Sequence, residues 1–336
     1  MLDLLLLLGL LLVILVAAEI FVNALEHLGD RLRISEGVTG SLFAAVGTAM
    51  PETVVPLLAL FAGTADQALN EEIGVGAILG APLMLATLAM GILALVAGWR
   101  RGWSAPFHPE PSGLRRDLDA FLLAYAAAAL AMAVPHQAEL LRVIVALGLV
   151  IGYFVYVLAT LRASERLVAD GHGTEADRPL LLTRCGLREG WGTILAQMVL
   201  GLVLLVAGAK GFVHEVEQVA SMLGVSALLV SLVLAPVATE LPEKVNSVLW
   251  VRQGKDTLAF GNLTGAMVFQ GTLLPALGIL MTPWEARAEA VLGIGLSLAG
   301  AIWLRWCLAR GGLRVWQLLI NGALYPVYLA GTLVSG

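Results

Sequence analysis

Charge is what this chain has least of. Only 13% of its 336 residues are Asp, Glu, Lys or Arg, against 59% hydrophobic, a balance that excludes an ordinary soluble globular domain. Cysteine is nearly absent: Cys185 and Cys307 are too few and too far apart for a disulfide framework or a thiolate metal site. There is no glycine-rich phosphate loop, no zinc-ligand spacing and no basic patch suited to nucleic acid, so those function classes lose their usual signatures. The formal charge of −5 says little about partners, because in so apolar a chain the placement of charge outweighs its sum. The beginning, Met1-Leu-Asp-Leu-Leu-Leu6, lacks the basic region that opens a secretory signal, so it reads as a first membrane helix.

What the chain has instead is long apolar runs, the mark of transmembrane helices. Ten stand out, at about 2–25, 38–62, 72–97, 118–134, 139–161, 192–210, 225–251, 257–281, 286–308 and 313–335. They are too long for barrel strands, and a lipid-facing backbone has to satisfy its own hydrogen bonds, so the expected class is an all-α integral membrane protein. Basic residues set the orientation. One set of loops collects Arg31 and Arg33; Arg100, Arg101, Arg115 and Arg116; Arg162, Arg166, Arg178, Arg184 and Arg188; Arg252 and Lys255; Arg305, Arg310 and Arg314, which is 16 of the 20 Lys and Arg. Both termini are therefore expected outside an inner or plasma membrane, with the loop over 162–190 in the cytoplasm. That loop divides the chain into a first five-helix repeat over 1–161 and a second over 191–336. Five is odd, so the halves insert with opposite polarity, the inverted repeat of secondary transporters.

Two polar segments interrupt the apolar runs, Val46-Gly-Thr-Ala-Met-Pro-Glu-Thr-Val54 and Val237-Ala-Thr-Glu-Leu-Pro-Glu-Lys-Val245. Their Thr-x-x-Pro-Glu cores match at Thr48 and Thr239, Pro51 and Pro242, and Glu52 and Glu243, an offset of 191 residues (243 − 52). Glu19 and Lys210 stand at the same offset, Gly76-Ala-Ile-Leu-Gly-Ala81 aligns with Gly261-Asn-Leu-Thr-Gly-Ala266, and each half ends on Tyr-x-x-Tyr, Tyr153 with Tyr156 and Tyr325 with Tyr328. Matches in one order point to duplication. Proline inside a helix has no N–H and clashes with the carbonyl four residues back, so Pro51 frees the carbonyl of Gly47 and Pro242 that of Ala238. Freed carbonyls, the hydroxyls of Thr48 and Thr239 and the carboxylates of Glu52 and Glu243 are hard oxygen ligands, the chemistry that Na⁺ and Ca²⁺ require. Carboxylates at bilayer depth face a cavity and mark an ion path. The bland alternative is a Pro-Glu that only kinks its helix, and two symmetry-related copies weigh against it.

These segments, each followed by Gly-x-x-x-Gly-Ala, resemble the two α-repeats of the cation/Ca²⁺ exchanger superfamily, whose usual motif reads Gly-Thr-Ser-x-Pro-Glu. The resemblance covers about 38–97 and 225–281. It implies an antiporter that exchanges Ca²⁺ for Na⁺ or H⁺, with no cofactor, and it places the ions on Glu52, Glu243, Thr48 and Thr239. The motif serine is replaced by Ala49 in the first copy and by Glu240 in the second. Where the superfamily carries Asn, Ser and a later Asn or Asp, the first half offers Ala77, Ala81 and Leu85, while the second keeps Asn262 and Thr264 and has Gln270. The expected site is lopsided, richer in oxygen on its second-repeat side.

Other readings keep the fold and change the cargo, to an H⁺-coupled exchanger or one for monovalent cations. An intramembrane enzyme using Glu240 and Glu243 as acid and base lacks a nucleophile, His or metal constellation to go with them, and a non-transporting scaffold has no need of midplane carboxylates. Glu240 and Lys244 have the i,i+4 spacing that favours pairing; the alternative is that Pro242 swings Lys244 away and Glu240 joins the site as a third carboxylate. His27, His108, His136, His172 and His214 read as solvated loop residues. Trp99 or Trp103 with Trp303, Trp306 or Trp316 reads as an interfacial belt.

Overall fold

The computed structural model describes residues 2–45, 49, 53, 56, 57, 60, 67–135, 137–169, 176, 178–223 and 240–335. In the first half α1 spans Leu2–Leu32, α2 begins as Glu36–Val38 and continues through a π-helical turn at Thr39–Ala44, and α3 runs Gln67–Met84, widens to a π-helical turn at Leu85–Ala89 and resumes as Met90–Arg101. Then come α4 (Pro111–Ala131) and α5 (Glu139–Ala169). The second half holds α6 (Trp191–Leu223), α7 (Leu241–Gln253), α8 (Asp256–Met281), α9 (Ala288–Ala309) and α10 (Val315–Ser335). The fold is all-α, two inverted five-helix repeats. Among the described residues five helices are long and apolar enough to cross a membrane by themselves.

The helices differ in how deeply they sit in the bundle. The apolar windows of α3 and α8, the helices after the two cores, are each 83% buried, against 28% for α5 and α6, so α3 and α8 are inner posts. Along α5 the large side chains Leu140, Ile144, Leu147, Ile151, Phe154, Val155 and Leu158 are exposed, an outer apolar face of the kind a lipid-facing helix presents. Small residues let the posts close up. A Cβ at Gly40 of α2 would lie 2.9 Å from the Leu258 carbonyl, and one at Gly265 of α8 would fall on the Ser41 backbone, so α2 and α8 pack backbone to backbone.

Most of the basic loops meet at one end. Arg101 Nη1 pairs with Asp256 Oδ1 at 2.8 Å, Arg100 Nη1 donates to the Arg252 carbonyl at 3.2 Å, and a short strand β1 (Pro106–Phe107) pairs antiparallel with β2 (Leu313–Arg314). Lys255 Nζ reaches Glu26 Oε1 of α1 at 3.4 Å, and Arg31 Nη2 lies 3.9 Å from Glu189 Oε1. Arg142, on α5, instead donates to the carbonyls of Ile279, Thr282 and Pro283. It satisfies acceptors that the end of α8 leaves open.

Several helices outrun their apolar windows. α1 continues to Leu32 rather than 25, α6 to Leu223 rather than 210, and α4 starts at Pro111 rather than 118. The cause at α4 is a cap: Glu110 accepts from Ser112 N at 2.8 Å and Gly113 N at 2.6 Å, with Pro111 at the first position, where its missing N–H costs nothing. Hydropathy cannot see such a start.

Candidate cation site

The second polar core turns into α7 at its proline. Glu240 is the residue before the helix, with φ −85° and ψ 8°, Pro242 is the second helical residue, and Lys244 N donates to the Glu240 carbonyl at 3.2 Å. A proline there lies where helical N–H groups have no partner anyway. Within the described residues the helix begins at Leu241, beside this proline. Glu243 then sits in the first turn, at the positive end of the helix dipole, which favours a carboxylate. Glu240 and Glu243 are both fully buried. Lys244, also buried, places Nζ 3.5 Å from Glu240 Oε2 and 2.8 Å from Met84 Sδ of α3. The i,i+4 pair read from the sequence is present, and its ammonium reaches across to the other repeat.

α8 fixes the height of this turn. Asn262 Nδ2 donates to the Glu243 carbonyl and to Ser247 Oγ, both at 3.0 Å, while among the described residues Asn262 Oδ1 meets no donor. Only Gly254 and Lys255 separate α7 from α8, so the two run antiparallel. At about 1.5 Å per residue, Glu240 stands roughly 10 Å above Ser247 and Gln270 roughly 12 Å above Asn262, which brings Gln270 level with Glu240. Gln270 is fully buried, and among the described residues neither of its amide atoms has a hydrogen-bond partner. A buried amide without partners is costly, and a cation together with other polar groups would satisfy it. Asn262 thus braces α7, and Gln270 stands at about the height of Glu240.

Gly47, Thr48, Pro51, Glu52, Ala238 and Thr239 lie outside the described residues. Beside the first core, Ala49 N donates to the Ala45 carbonyl at 3.0 Å and Thr53 N to the Ala49 carbonyl at 3.2 Å, the spacing of an α-helix. The positions of α3 aligned with Asn262, Thr264 and Gln270 are apolar: Ala77, Leu79 and Leu85 are buried and carry no side-chain oxygen.

Sequence reasoning passed over another buried carboxylate. Asp117 of α4, 1% exposed, accepts from Ser41 Oγ of α2 and Thr264 Oγ1 of α8 on Oδ2, both at 2.7 Å, and from Tyr156 OH of α5 on Oδ1 at 2.8 Å. It ties four helices together. The cap at Glu110 was the available signal, since it moves the helix start back and puts Asp117 inside. Thr264 accordingly serves this cluster.

Among the histidines, His27 corrects the expectation of a solvated loop residue. It is buried, with Nε2 2.8 Å from the Arg178 carbonyl and Nδ1 3.3 Å from Glu189 Oε1, and it holds the central loop against α1. His108 is exposed as expected, while His136, His172 and the side chain of His214 lie outside the described residues. Glu19 is exposed and 3.4 Å from Arg178 Nη1; the side chain of Lys210, its repeat partner, lies outside the description. Trp99, Trp103, Trp306 and Trp316 are exposed.

The sequence profile of the sodium/calcium exchanger protein family matches residues 2–162 and 193–334. The chain is 29% identical to the inner membrane protein YrbG of Escherichia coli over 94% of its own length and 95% of that protein. It is also 29% identical to the putative antiporter CaxA of Alkalimonas amylolytica, over 82% and 79% of the two chains. A structure of the sodium-calcium exchanger NCX_Mj superposes with a TM-score of 0.73 at 20% identity, covering 98% of each chain. At that identity the likeness is one of fold, and the fold is that of a membrane exchanger.

Proposed function

We propose that this chain, which belongs to the sodium/calcium exchanger protein family, exchanges Ca²⁺ for Na⁺ through a site between its two repeats. Membership gives cation antiport; the cargo and the ligands are our reading. One observation carries it: Glu240 and Glu243 are fully buried at the first turn of a helix in the core of a membrane protein, where charge of that kind serves ion passage. Glu243 and its repeat partner Glu52 hold the cation, with the hydroxyls of Thr48 and Thr239 and the carbonyls of Gly47 and Ala238 around them. Gln270 adds a neutral oxygen at the height of Glu240. The basic loops face the cytoplasm, both termini face outward, and 162–190 joins the repeats 1–161 and 191–336 in an inner or plasma membrane.

A second reading, H⁺-coupled or monovalent exchange, is favoured by the apolar wall at Ala77, Leu79 and Leu85, because Ca²⁺ takes six or more oxygens. Purified protein in proteoliposomes decides between them. Under an outward Na⁺ gradient Ca²⁺ should accumulate, and Glu52→Gln or Glu243→Gln should abolish that uptake while the protein still inserts. Uptake driven equally well by an H⁺ gradient without Na⁺ would support the second reading. Normal transport by either variant would reject the glutamate roles.

A further inference from the structure

Duplication makes the two halves comparable position by position. In α8 the segment after the core carries Asn262, Thr264 and Gln270; in α3 the aligned residues, 185 positions earlier (261 − 76), are Ala77, Leu79 and Leu85, all buried. The α3 side has therefore lost every side-chain oxygen at these positions. It has not lost contact with a cation. Lys244 extends from α7 of the second repeat and places Nζ 2.8 Å from Sδ of Met84, the residue before Leu85 in the chain, and 3.5 Å from Glu240 Oε2. Met84, Lys244 and Glu240 are all buried.

An ammonium is a compact point charge of +1. Burying it costs several kcal/mol unless a carboxylate compensates, and Glu240 does so. The residue that compensates stands where the superfamily motif has serine, in the same turn as the ammonium. Their charges cancel and leave Glu243 as the net charge of this turn. A lysine cannot dissociate. The volume and charge of one monovalent cation are thus filled by a group that never leaves.

We infer that Lys244 is a tethered cation that permanently occupies one cation position between the repeats, so that the chain carries one fewer dissociable monovalent cation per cycle than its carboxylates would otherwise hold. The inference rests on the reading of this region as the transport site.

The test is equilibrium ²²Na⁺ binding to the purified protein, alongside the Na⁺ dependence of its thermal unfolding midpoint. Lys244→Met strands Glu240, which should recruit a cation from solution. The variant should bind one more Na⁺ than the natural chain, and its midpoint should rise with Na⁺ more steeply. The double change Glu240→Gln with Lys244→Met removes both charges and should return the Na⁺ count to that of the natural chain. An unchanged count in Lys244→Met overturns the tether, and so does an added Na⁺ that persists in the double variant. If Lys244→Met fails to fold at every Na⁺ concentration while the double variant folds, free cation does not replace the ammonium and the tether is again wrong. A natural chain that binds neither Na⁺ nor Ca²⁺ and moves neither would instead sink the proposed function.

Discussion

Asp117 offers a sharp structural test, because its surroundings fix the order of several variants. Changing it to alanine leaves the Ser41, Thr264 and Tyr156 hydroxyls around a small void. A hydrogen bond to a charged group contributes about 1.5–3 kcal/mol, but the three do not simply add. Thr264 Oγ1 also lies 2.9 Å from the Phe260 carbonyl, so it redirects its proton there and loses little. Ser41 and Tyr156 each lose a partner, and removing a buried carboxylate offsets part of that. Asp117→Ala should cost about 3–5 kcal/mol, in the range for breaking a buried charged cluster. Asp117→Asn keeps the volume and one or two acceptor sites and should cost about 1–2 kcal/mol. Ser41→Ala should cost about 1–2 kcal/mol, and Thr264→Val less, because the threonine is the member with a second acceptor. The assay is the midpoint of thermal unfolding in detergent, read as folded protein remaining on a sizing column after heating. The expected order is natural chain, Thr264→Val, Ser41→Ala and Asp117→Asn together, then Asp117→Ala. An alanine variant as stable as the natural chain would refute the argument, as would a threonine variant worse than the asparagine one.

Three further outcomes follow from contacts elsewhere. Gly265→Leu drives a side chain onto the Ser41 backbone, where nothing flexible can yield; the cost exceeds the about 1–3 kcal/mol of ordinary overpacking, and folded protein should be lost from membrane extracts. Arg101→Ala leaves Asp256, 3% exposed, with the His108 N–H still donating to it; destabilisation near the lower end of about 3–5 kcal/mol should appear in the same thermal assay, and none would mean the pair is idle. His27→Ala removes an anchor of the central loop, while the bonds of Asn23 and Gln197 to Leu181 and Leu182 remain. Loss of about 1 kcal/mol of local stability raises the open population about fivefold, so trypsin should cut after Arg184 or Arg188 faster by about that factor, and an unchanged rate would deny His27 the role.

The sequence disclosed the parts of this fold that depend on periodicity and repetition. Ten apolar runs, an odd number in each half and an offset of 191 residues between Glu52 and Glu243 are visible without coordinates, because a bilayer imposes length and duplication copies order. The pairing of Glu240 with Lys244 was legible from spacing alone. The expected break at Pro242 depends on residues before 240, which lie outside the described residues; those described show a helix that begins beside the proline. Asp117 and His27 were hidden for a common reason. Each stands just outside an apolar window, at 118–134 and 2–25, and hydropathy ends a helix where polarity begins. Burial there is decided by partners far away in the chain, Thr264 for one and Glu189 for the other, and no local pattern records them.

The division of labour between α3 and α8 says what duplication preserves. Both helices remain inner posts with the same share of their windows buried, and both still approach other backbones closely, α8 at Gly265 over Ser41 and α3 at Gly91 over Gly322. Backbone approach is demanded by every helix that touches the post, so a change there breaks packing on several sides at once. A ligand oxygen answers only to the ion. With Lys244 as the tethered cation proposed above, lying against Met84, oxygens on α3 would have no cation to hold, and Ala77, Leu79 and Leu85 pack the wall better than Asn, Ser or Asp without a partner would. The converse holds at α8, where Asn262 also braces α7 through Glu243 and Ser247. An oxygen-bearing residue with a structural duty stays, and one with only an ion to serve is free to go. On this argument, restoring Leu85→Asp alone should cost stability without improving transport, since the new carboxylate meets an occupied position. Combined with Lys244→Met it should be tolerated and should raise Na⁺ binding. Equal damage from the Leu85→Asp change with and without Lys244→Met, in the thermal and ²²Na⁺ assays, would separate the two events and undo the link between them.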